Sequence, residues 1–253
     1  MPNGDGTVRV PLADPKASVR QVVAALANAQ KSNRNAPAYS RWVNRPIGRV
    51  FAAVAFKLGL TPNQVTMLSA IFTFSGVGVV AAGSPALGWL VALLLVIGYA
   101  LDSADGQLAR LRGGGSASGE WLDHFFDALK AASLHVAVAI MWWRNLGSFP
   151  EWSLLVPLAF TIVASVYFFG MVLTEILLRR AGPAATTAPG GERAPVLMSL
   201  IALVNDYGLI CVSMFLMPWF DAWRWVYAVL MVGNLLLLAI QSLRWYRRIV
   251  AAG

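Results

Sequence analysis

The sequence predicts an all-α, polytopic membrane protein with six transmembrane helices preceded by an amphipathic helix at the membrane interface. Hydrophobic residues make up 58% of its 253 residues and charged residues only 13%, whereas soluble domains carry about 25% charged residues. The apolar residues also fall into blocks of about 20 residues, the length at which an α-helix crosses a bilayer. These blocks lie at about 64–83, 86–108, 121–143, 152–177, 196–217 and 223–243.

Positively charged side chains are distributed unevenly around the six blocks. Seventeen of the 20 Lys and Arg residues precede the first block or follow the second, fourth and sixth, while only Arg144 and Arg224 lie at the opposite ends. Because cytoplasmic loops are enriched in Lys and Arg, this pattern predicts an integral inner-membrane protein with both termini in the cytoplasm. The net charge of +8 is then a topology signal and a means of contacting anionic membrane lipids, not nucleic acid.

The chain before the first block divides into two parts. Residues 1–36 mix Gly, Pro, Asn and charged residues, which predicts a mobile cytoplasmic tail without the hydrophobic segment of a cleaved signal peptide. Over residues 37–58, apolar side chains alternate with Arg41, Arg45 and Arg49, whose four-residue spacing places them on one helical face. An amphipathic juxtamembrane helix fits this pattern, and a helix packed on the protein is the alternative.

The first block opens with the segment Thr61-Pro62-Asn63-Gln64-Val65-Thr66. Thr61 can cap a helix whose first residue is Pro62, because the N–H that Pro lacks would have no intrahelical partner there. Asn63 and Thr66 lie three residues apart and therefore share a helical face. Both side chains can hydrogen-bond a group that is held at the membrane boundary.

Four carboxylates border the second and third blocks, and they are Asp102, Asp105, Asp123 and Asp127. A charged Asp at the centre of a membrane helix costs about 2.5–3.5 kcal/mol on insertion scales, so acids in such positions usually have a function. The members of each pair lie three or four residues apart on one helical face, and the glycines at 113–115 predict a turn between the two helices. An antiparallel hairpin would unite the four carboxylates as a divalent-metal site, whose oxygen ligands favour Mg²⁺, Mn²⁺ or Ca²⁺ over Zn²⁺.

The complete pattern over residues 102–127 is D-x-x-D-G-x-x-A-R-x8-G-x3-D-x3-D. It is similar to the signature of the CDP-alcohol phosphotransferases, also called CDP-alcohol phosphatidyltransferases, which are integral membrane enzymes of phospholipid biosynthesis. The resemblance implies a transferase that exchanges the CMP of a CDP-linked donor for an alcohol. It also implies Mg²⁺ or Mn²⁺ as cofactor, a homodimer, and a six-helix catalytic domain over residues 59–253.

The resemblance further assigns roles to individual residues. Two metal ions would be held by Asp102, Asp105, Asp123 and Asp127. The segment at 62–66 resembles the P-[ND]-x-x-T segment that lies near the nucleotide in this family. The CDP moiety would therefore contact Asn63, Thr66, Gly106, Ala109, Arg110 and Gly119.

The group that accepts the proton of the attacking hydroxyl has more than one candidate. The resemblance implies Asp127 as the catalytic base. Glu120 and His124 also lie within helical reach of one another and of Asp127, and an imidazole oriented by a carboxylate is suited to accept a hydroxyl proton. The sequence leaves Asp127 and His124 open as the base, with Glu120 as the group that orients the imidazole.

The substrates are open as well. The favoured prediction is CDP-diacylglycerol as donor and a polar alcohol as acceptor, because six spans resemble the prokaryotic phosphatidyltransferases. The alternative is a CDP-choline-type or CDP-ethanolamine-type donor with diacylglycerol as acceptor, since the segment G-E-x-x-D-H-x-x-D at 119–127 resembles the eukaryotic enzymes of that specificity.

A membrane cation transporter is the alternative of another class, since acids in membrane helices also mark cation pathways. The clustering of the acids at one membrane edge argues against it. Glu175 and Asp206 are further carboxylates within apolar blocks. They predict either an acceptor pocket or hydrogen bonds between helices.

Overall fold

The computed structural model of the protein describes residues 17–28, 36–147, 149–182 and 196–253. All regular secondary structure in these ranges is helical, which confirms the predicted all-α class. The helices are α1 (Val19–Asn28), α2 (Arg45–Lys57), α3 (Pro62–Ala81), α4 (Gly88–Leu111), α5 (Ala117–Arg144), α6 (Leu155–Arg180), α7 (Val196–Ile201), α8 (Tyr207–Ser213) and α9 (Phe220–Ala252). Within the described ranges, α3, α4, α5, α6 and α9 are long and apolar enough to cross a membrane. The protein is therefore a multi-pass membrane protein.

The predicted N-terminal tail contains a helix that the sequence analysis did not anticipate. Val22 and Leu26 of α1 are fully buried, and they pack with Ala52 and Ala53 of α2 and with Leu108 of α4. The apolar face of so short a helix is stabilised by tertiary packing, which local composition does not reveal. Residues 1–16 and 29–35, the remainder of the predicted tail, lie outside the described residues.

The juxtamembrane segment is helical, as expected, but its first turn is irregular. A π-helical turn spans Ser40–Asn44 and leads directly into α2. One face of α2 carries the small buried residues Gly48, Ala52, Ala53 and Ala55, which pack on the bundle. Trp42, Ile47, Val50 and Val54 are exposed, so this segment both packs on the protein and offers a large apolar surface to a membrane interface.

Helix α3 begins as the sequence predicts. Thr61 accepts a hydrogen bond from the backbone N–H of Gln64, and the Gln64 side chain accepts one from the Thr61 N–H, which together form a capping box. Along its length α3 packs closely on α4 through small residues. Ser69 donates from Oγ to the carbonyl oxygen of Gly98 at 2.8 Å, an approach that a residue without a side chain permits.

The predicted fifth span, 196–217, is broken into short pieces. Helix α7 continues as a 3₁₀ turn at Ala202–Asn205, and α8 continues as another at Met214–Leu216. Asp206 separates the two halves, because its backbone is extended and its carboxylate caps α8 by accepting from the Gly208 N–H. Near the break, Asp206 accepts a hydrogen bond from the Ser40 N–H. Further along the segment, Met214 packs against Gly88 at the start of α4. The count of six crossings stays a prediction.

At the end of the bundle opposite the acid-bearing hairpin, two arginines bind carbonyl groups where helices end. Arg144 donates to the Ala82 carbonyl oxygen at 2.8 Å. Arg224, which is only 1% exposed, donates to the carbonyl oxygens of Asn145 and Leu146. A cation at a helix C-terminus satisfies carbonyls that lack intrahelical partners. The two arginines that depart from the positive-inside pattern therefore have structural roles.

Two apolar clusters hold the bundle together. The larger cluster fills the half remote from the acids and includes Leu95, Trp142 and Trp223. His135 is buried in this cluster, where its Nδ1 lies 2.6 Å from the hydroxyl of Tyr227, so it is a hydrogen-bonded packing residue. The smaller cluster joins α1 and α2 to the final turns of α4. Asp102 and Asp105 alternate along α4 with Leu101, Ala104 and Leu108, which belong to the smaller cluster or pack against it.

The close packing of α3 on α4 makes Gly98 a sensitive position. A Cβ at Gly98 would overlap the Thr73 hydroxyl and lie 3.0 Å from the Thr73 backbone nitrogen, and backbone cannot rotate away. We expect Gly98→Ala to lower the free energy of unfolding by about 1–3 kcal/mol, measured by thermal unfolding in detergent. The control is Gly78→Ala, because a Cβ at Gly78 meets no atom within 4 Å. Equal stability of the two variants would contradict the α3–α4 contact.

Candidate active site

The two acid-bearing segments form an antiparallel hairpin. Helix α4 ends at Leu111, and α5 begins at Ala117 after a turn in which Gly113 and Gly114 have φ angles of 94° and 133°. Such angles strongly favour glycine. Ser116 caps α5 by accepting from the Gly119 N–H at 3.1 Å. The glycine run is therefore a turn, and it brings the last part of α4 beside the first part of α5.

All four predicted metal ligands line one open cavity of about 180 Å³. The carboxylates come from both sides of the hairpin, as the sequence predicted. The remaining lining residues are Arg45, Ser103, Gly106, Gln107 and Arg110. The cavity is thus polar on every side and contains both carboxylates and guanidinium groups.

Asp105 is the most deeply buried of the four acids, with 6% of its surface exposed. Its carboxylate accepts hydrogen bonds from the Thr66 hydroxyl and the Gly106 N–H, both at 2.5 Å. Burying a carboxylate without such partners would be costly. Thr66, which the sequence assigned to the nucleotide, therefore fixes the orientation of Asp105 in this structure, while its contact with nucleotide stays a prediction.

Lys130 balances the charge of the cluster from one turn further along α5. It is 9% exposed, and its Nζ lies 2.5 Å from Asp127 Oδ1 and 3.4 Å from Asp102 Oδ1. The rings of Tyr207 and Tyr99 face the same ammonium at 5.0 and 5.9 Å, within the range of cation–π attraction. The sequence signal for this role was the spacing of three residues between Asp127 and Lys130.

The tightest group of potential metal ligands within the described ranges is Asp123, His124 and Asp127, whose ligand atoms lie within 4.8 Å of one another. Asp102 and Asp105 line the same cavity but face Lys130 and Thr66 instead. A set of carboxylate oxygens with one imidazole suits a hard divalent cation such as Mg²⁺ or Mn²⁺. The donor set therefore fits a metal, and it includes an imidazole that the sequence had assigned to proton transfer.

The small residues of the signature leave space on the cavity wall. A Cβ at Gly106 would meet no atom closer than Arg110 Nη1 at 3.5 Å, so the protein's own packing does not require glycine there. Gly106 leaves open space beside the Arg110 guanidinium, whose Nε is buried and has no hydrogen-bond partner among the described residues. A phosphate group could occupy this space and accept from the guanidinium.

Asn63 and Gly119 meet at the mouth of the hairpin. A Cβ at Gly119 would lie 3.1 Å from Asn63 Oδ1, so the start of α3 approaches the start of α5 directly. Asn63 is exposed and Ala109 is half-buried, and neither lines the acid cavity. Of the six residues assigned to the nucleotide, the structure places Gly106 and Arg110 in this cavity and Thr66 against its Asp105.

Glu120 and His124 lie on the side of α5 that faces α6. The Glu120 carboxylate is 4.0 Å from His124 Nε2 and 2.7 Å from Arg179 Nη1. Arg179 also pairs with Glu175 at 2.5 Å. The Nδ1 of His124 is buried without a hydrogen-bond partner in the described part of the chain. Glu120 thus lies beside the imidazole at a distance longer than a hydrogen bond, and its direct partner is Arg179.

Asp206 has a structural role. It accepts hydrogen bonds from the backbone N–H of Ser40 at 2.7 Å and from the Tyr99 hydroxyl at 3.3 Å, in addition to capping α8. It does not line the acid cavity. These contacts support the prediction of interhelical hydrogen bonds for Asp206 and not that of an acceptor pocket.

Comparison with known proteins agrees with this geometry. A sequence model described as CDP-alcohol phosphatidyltransferase matches residues 59–240. The chain is similar to a phosphatidylinositol phosphate synthase of Corynebacterium glutamicum, with 37% identity over 36% of this chain and 40% of that protein. It is also similar to an archaetidylinositol phosphate synthase of Pyrococcus horikoshii, with 33% identity over 39% of this chain and 50% of that protein. The matches thus span half or less of each relative's length.

The family match covers well over half of the chain, from the residues before α3 into α9. It includes the whole hairpin with its four carboxylates, which are the residues that carried the resemblance in the sequence. The chain therefore belongs to the CDP-alcohol phosphatidyltransferase family.

Proposed function

We propose that this protein transfers a phosphatidyl group from CDP-diacylglycerol to a polar alcohol and releases CMP, as a step of phospholipid biosynthesis. The observation that carries the proposal is the convergence of four carboxylates, Gly106 and Arg110 on one open cavity between α4 and α5. Family membership supports a transferase. The name of the Corynebacterium relative, a phosphatidylinositol phosphate synthase, favours a phosphatidyl donor over a CDP-choline-type donor.

The proposed metal ligands are Asp102, Asp105, Asp123 and Asp127, which would hold two ions of Mg²⁺ or Mn²⁺. When bound, such ions offset the negative charge of a diphosphate and stabilise the departing phosphate. Within the protein, the Thr66 hydroxyl keeps Asp105 facing the cavity, and Lys130 holds one oxygen of Asp127. These contacts orient the carboxylates before any ligand arrives.

We propose that the donor contacts Gly106 and Arg110 inside the cavity. Its remaining proposed contacts lie outside the cavity lining, and they are Asn63, Thr66, Ala109 and Gly119. Arg110 presents a planar fork that matches two phosphate oxygens. Gly106 allows the donor to approach the backbone. The attacking hydroxyl oxygen would give up its proton and form a bond to the phosphorus of the phosphatidyl group. The bond from that phosphorus to the CMP oxygen would break, which yields the phosphodiester product and CMP.

We propose that Asp127 is the base that takes the proton of the attacking hydroxyl, with His124 as the alternative base. Asp127 lines the cavity and is held by Lys130, whereas His124 lies at the side of the same helix and belongs to the tight ligand group. Glu120, 4.0 Å from His124 Nε2, would orient the imidazole. His124 is therefore kept as the alternative base, beside Asp123 and Asp127.

The proposed location is the inner membrane, with the hairpin turn and both termini on the cytoplasmic side. The charge asymmetry of the sequence supports this orientation. The end of the bundle remote from the hairpin carries exposed tryptophans, which suit a membrane–water interface on either side of a bilayer. These are Trp89, Trp143, Trp152, Trp219 and Trp225. A homodimer is proposed on the basis of the family resemblance.

The first experimental test pairs purified protein and Mg²⁺ in lipid with two sets of labelled substrates. One set combines CDP-diacylglycerol with inositol phosphate, inositol, glycerol phosphate and serine, and the other combines CDP-choline or CDP-ethanolamine with diacylglycerol. We expect CMP release and lipid product only with CDP-diacylglycerol. Product only in the second set would replace the proposed donor, and the absence of both product and nucleotide binding would contradict the proposed function.

Replacement of Asp123 tests whether this carboxylate binds metal for turnover or only supports the fold. Asp123→Asn removes one negative ligand, so we expect turnover to fall on the order of 100-fold or more and Mn²⁺ affinity, measured by titration calorimetry, to weaken. Thermal stability without metal should be retained. Asp221→Asn, an exposed acid at the other end of the bundle, is the matched control. Unchanged metal affinity in Asp123→Asn would argue against the ligand assignment.

Replacing Asp127 and His124 one at a time, and comparing the losses in kcat, distinguishes the two candidate bases. We expect Asp127→Asn to lower kcat on the order of 10²- to 10⁴-fold, the usual contribution of a general base. His124→Asn should retain a larger share of kcat and raise the KM of the acceptor. A larger kcat loss in His124→Asn than in Asp127→Asn would transfer the assignment to the imidazole. Nucleotide binding by both variants serves as the folding control.

A further inference from the structure

Among the described residues that line the cavity, Arg45 alone comes from outside the long apolar helices. It is the first residue of α2 and follows the π-helical turn Ser40–Asn44, yet it shares the acid cavity with Arg110 and the four carboxylates. A single π-helical turn changes the direction in which the following side chains project, and such turns occur frequently at functional sites. The irregular turn therefore immediately precedes the side chain that reaches the cavity.

The approach of α2 to α4 is close at this point. A Cβ at Gly48, three residues after Arg45 on the same helical face, would lie 2.8 Å from Ser103 Oγ and 3.0 Å from Gln107 Nε2. Ser103 and Gln107 themselves line the cavity. Glycine at position 48 thus allows α2 to pack directly on the part of α4 that carries Asp102 and Asp105.

The backbone at Arg45 is held independently of its guanidinium group. Gln107, only 1% exposed, donates from Nε2 to the Arg45 carbonyl oxygen at 3.2 Å and also lies 3.2 Å from Ser103 Oγ. A buried side-chain hydrogen bond of this kind fixes the start of α2 relative to α4. Changes at the end of the Arg45 side chain should therefore leave the helix in place.

The helix that carries Arg45 also has an apolar surface suited to a membrane interface. Trp42, Ile47, Val50 and Val54 are exposed apolar residues of the same segment, and they suit the level of lipid headgroups. A lipid-linked nucleotide places its acyl chains in the bilayer and its diphosphate at this level. With the apolar face of this helix at the interface, Arg45 would lie at the depth of the anionic part of such a donor.

We propose that Arg45 binds the diphosphate of the lipid-linked nucleotide donor together with Arg110, so that the two phosphates are held by guanidinium groups from two different helices. The inference rests on the proposed function. A diphosphate carries more negative charge than one fork can pair, and a second planar fork adds bidentate hydrogen bonds. Burial lowers the pKa of Arg45, but an arginine stays charged at neutral pH.

Two arms of one experiment test this role. Binding of CDP and of cytidine to the Mg²⁺-loaded protein is measured by titration calorimetry, and KM is measured separately for the CDP-diacylglycerol donor and for the alcohol acceptor. We expect Arg45→Gln to weaken CDP binding and raise the donor KM by about 10- to 100-fold, the range of a charge-assisted hydrogen bond. Cytidine affinity and the acceptor KM should not change. Arg45→Lys, which keeps the charge but loses the fork, should show a smaller defect.

The matched control is Arg41→Gln, one helical turn earlier. It removes the same charge, but Arg41 lies over the Trp42 ring and near Ser199 and does not line the cavity. Equal effects of the Arg41 and Arg45 variants, both dependent on anionic lipid, would identify general membrane attraction and overturn the proposal. CDP binding by Arg45→Gln at the level of the unaltered protein would also overturn it while leaving the proposed function intact. Absence of CDP binding by the unaltered protein would contradict both.

Discussion

The interaction on which this structure depends is the balance of charge around buried carboxylates at one end of a membrane helix bundle. Asp105 is almost completely enclosed and is supported by Thr66 from α3. Asp102 and Asp127 share the buried ammonium of Lys130. Removing one partner from a buried ionic cluster destabilises a protein, because an uncompensated charge then stays in a medium of low polarity. The helices α3, α4 and α5 are therefore held in one arrangement by the same contacts that orient the candidate metal ligands.

This balance extends to the parts of the chain that surround the hairpin. Tyr99 and Tyr207 face the Lys130 ammonium, and the Tyr99 hydroxyl donates to Asp206, which in turn accepts from the Ser40 N–H. The break in the predicted fifth span thus serves two purposes, since Asp206 caps α8 and ties it to the start of the juxtamembrane segment. A continuous helix would have no extended residue at this position to make both contacts.

The sequence was sufficient for the features that depend on local spacing. The acid pairs, the glycine turn, the Thr61 cap and the long apolar helices follow from helical periodicity and turn chemistry. It was not sufficient for contacts between distant segments: the placement of Arg45 in the cavity depends on Gly48 and on the π-helical turn, and periodicity records neither. The short helix α1 and the break at Asp206 were missed for the same reason, because tertiary packing overrides composition and hydropathy there.

The flank of the site towards α6 has a different electrostatic character from the hairpin. Arg179 pairs with Glu120 and Glu175, so its positive charge is already matched by two carboxylates. All three side chains are about half exposed, and ion pairs of this kind are worth little in stability because water screens them. A phosphorylated alcohol that approached Arg179 would compete with Glu120, the carboxylate that also faces His124. Binding of such an acceptor would therefore change the partner of the imidazole, whereas an uncharged alcohol would leave the Glu120–His124 pair as it is.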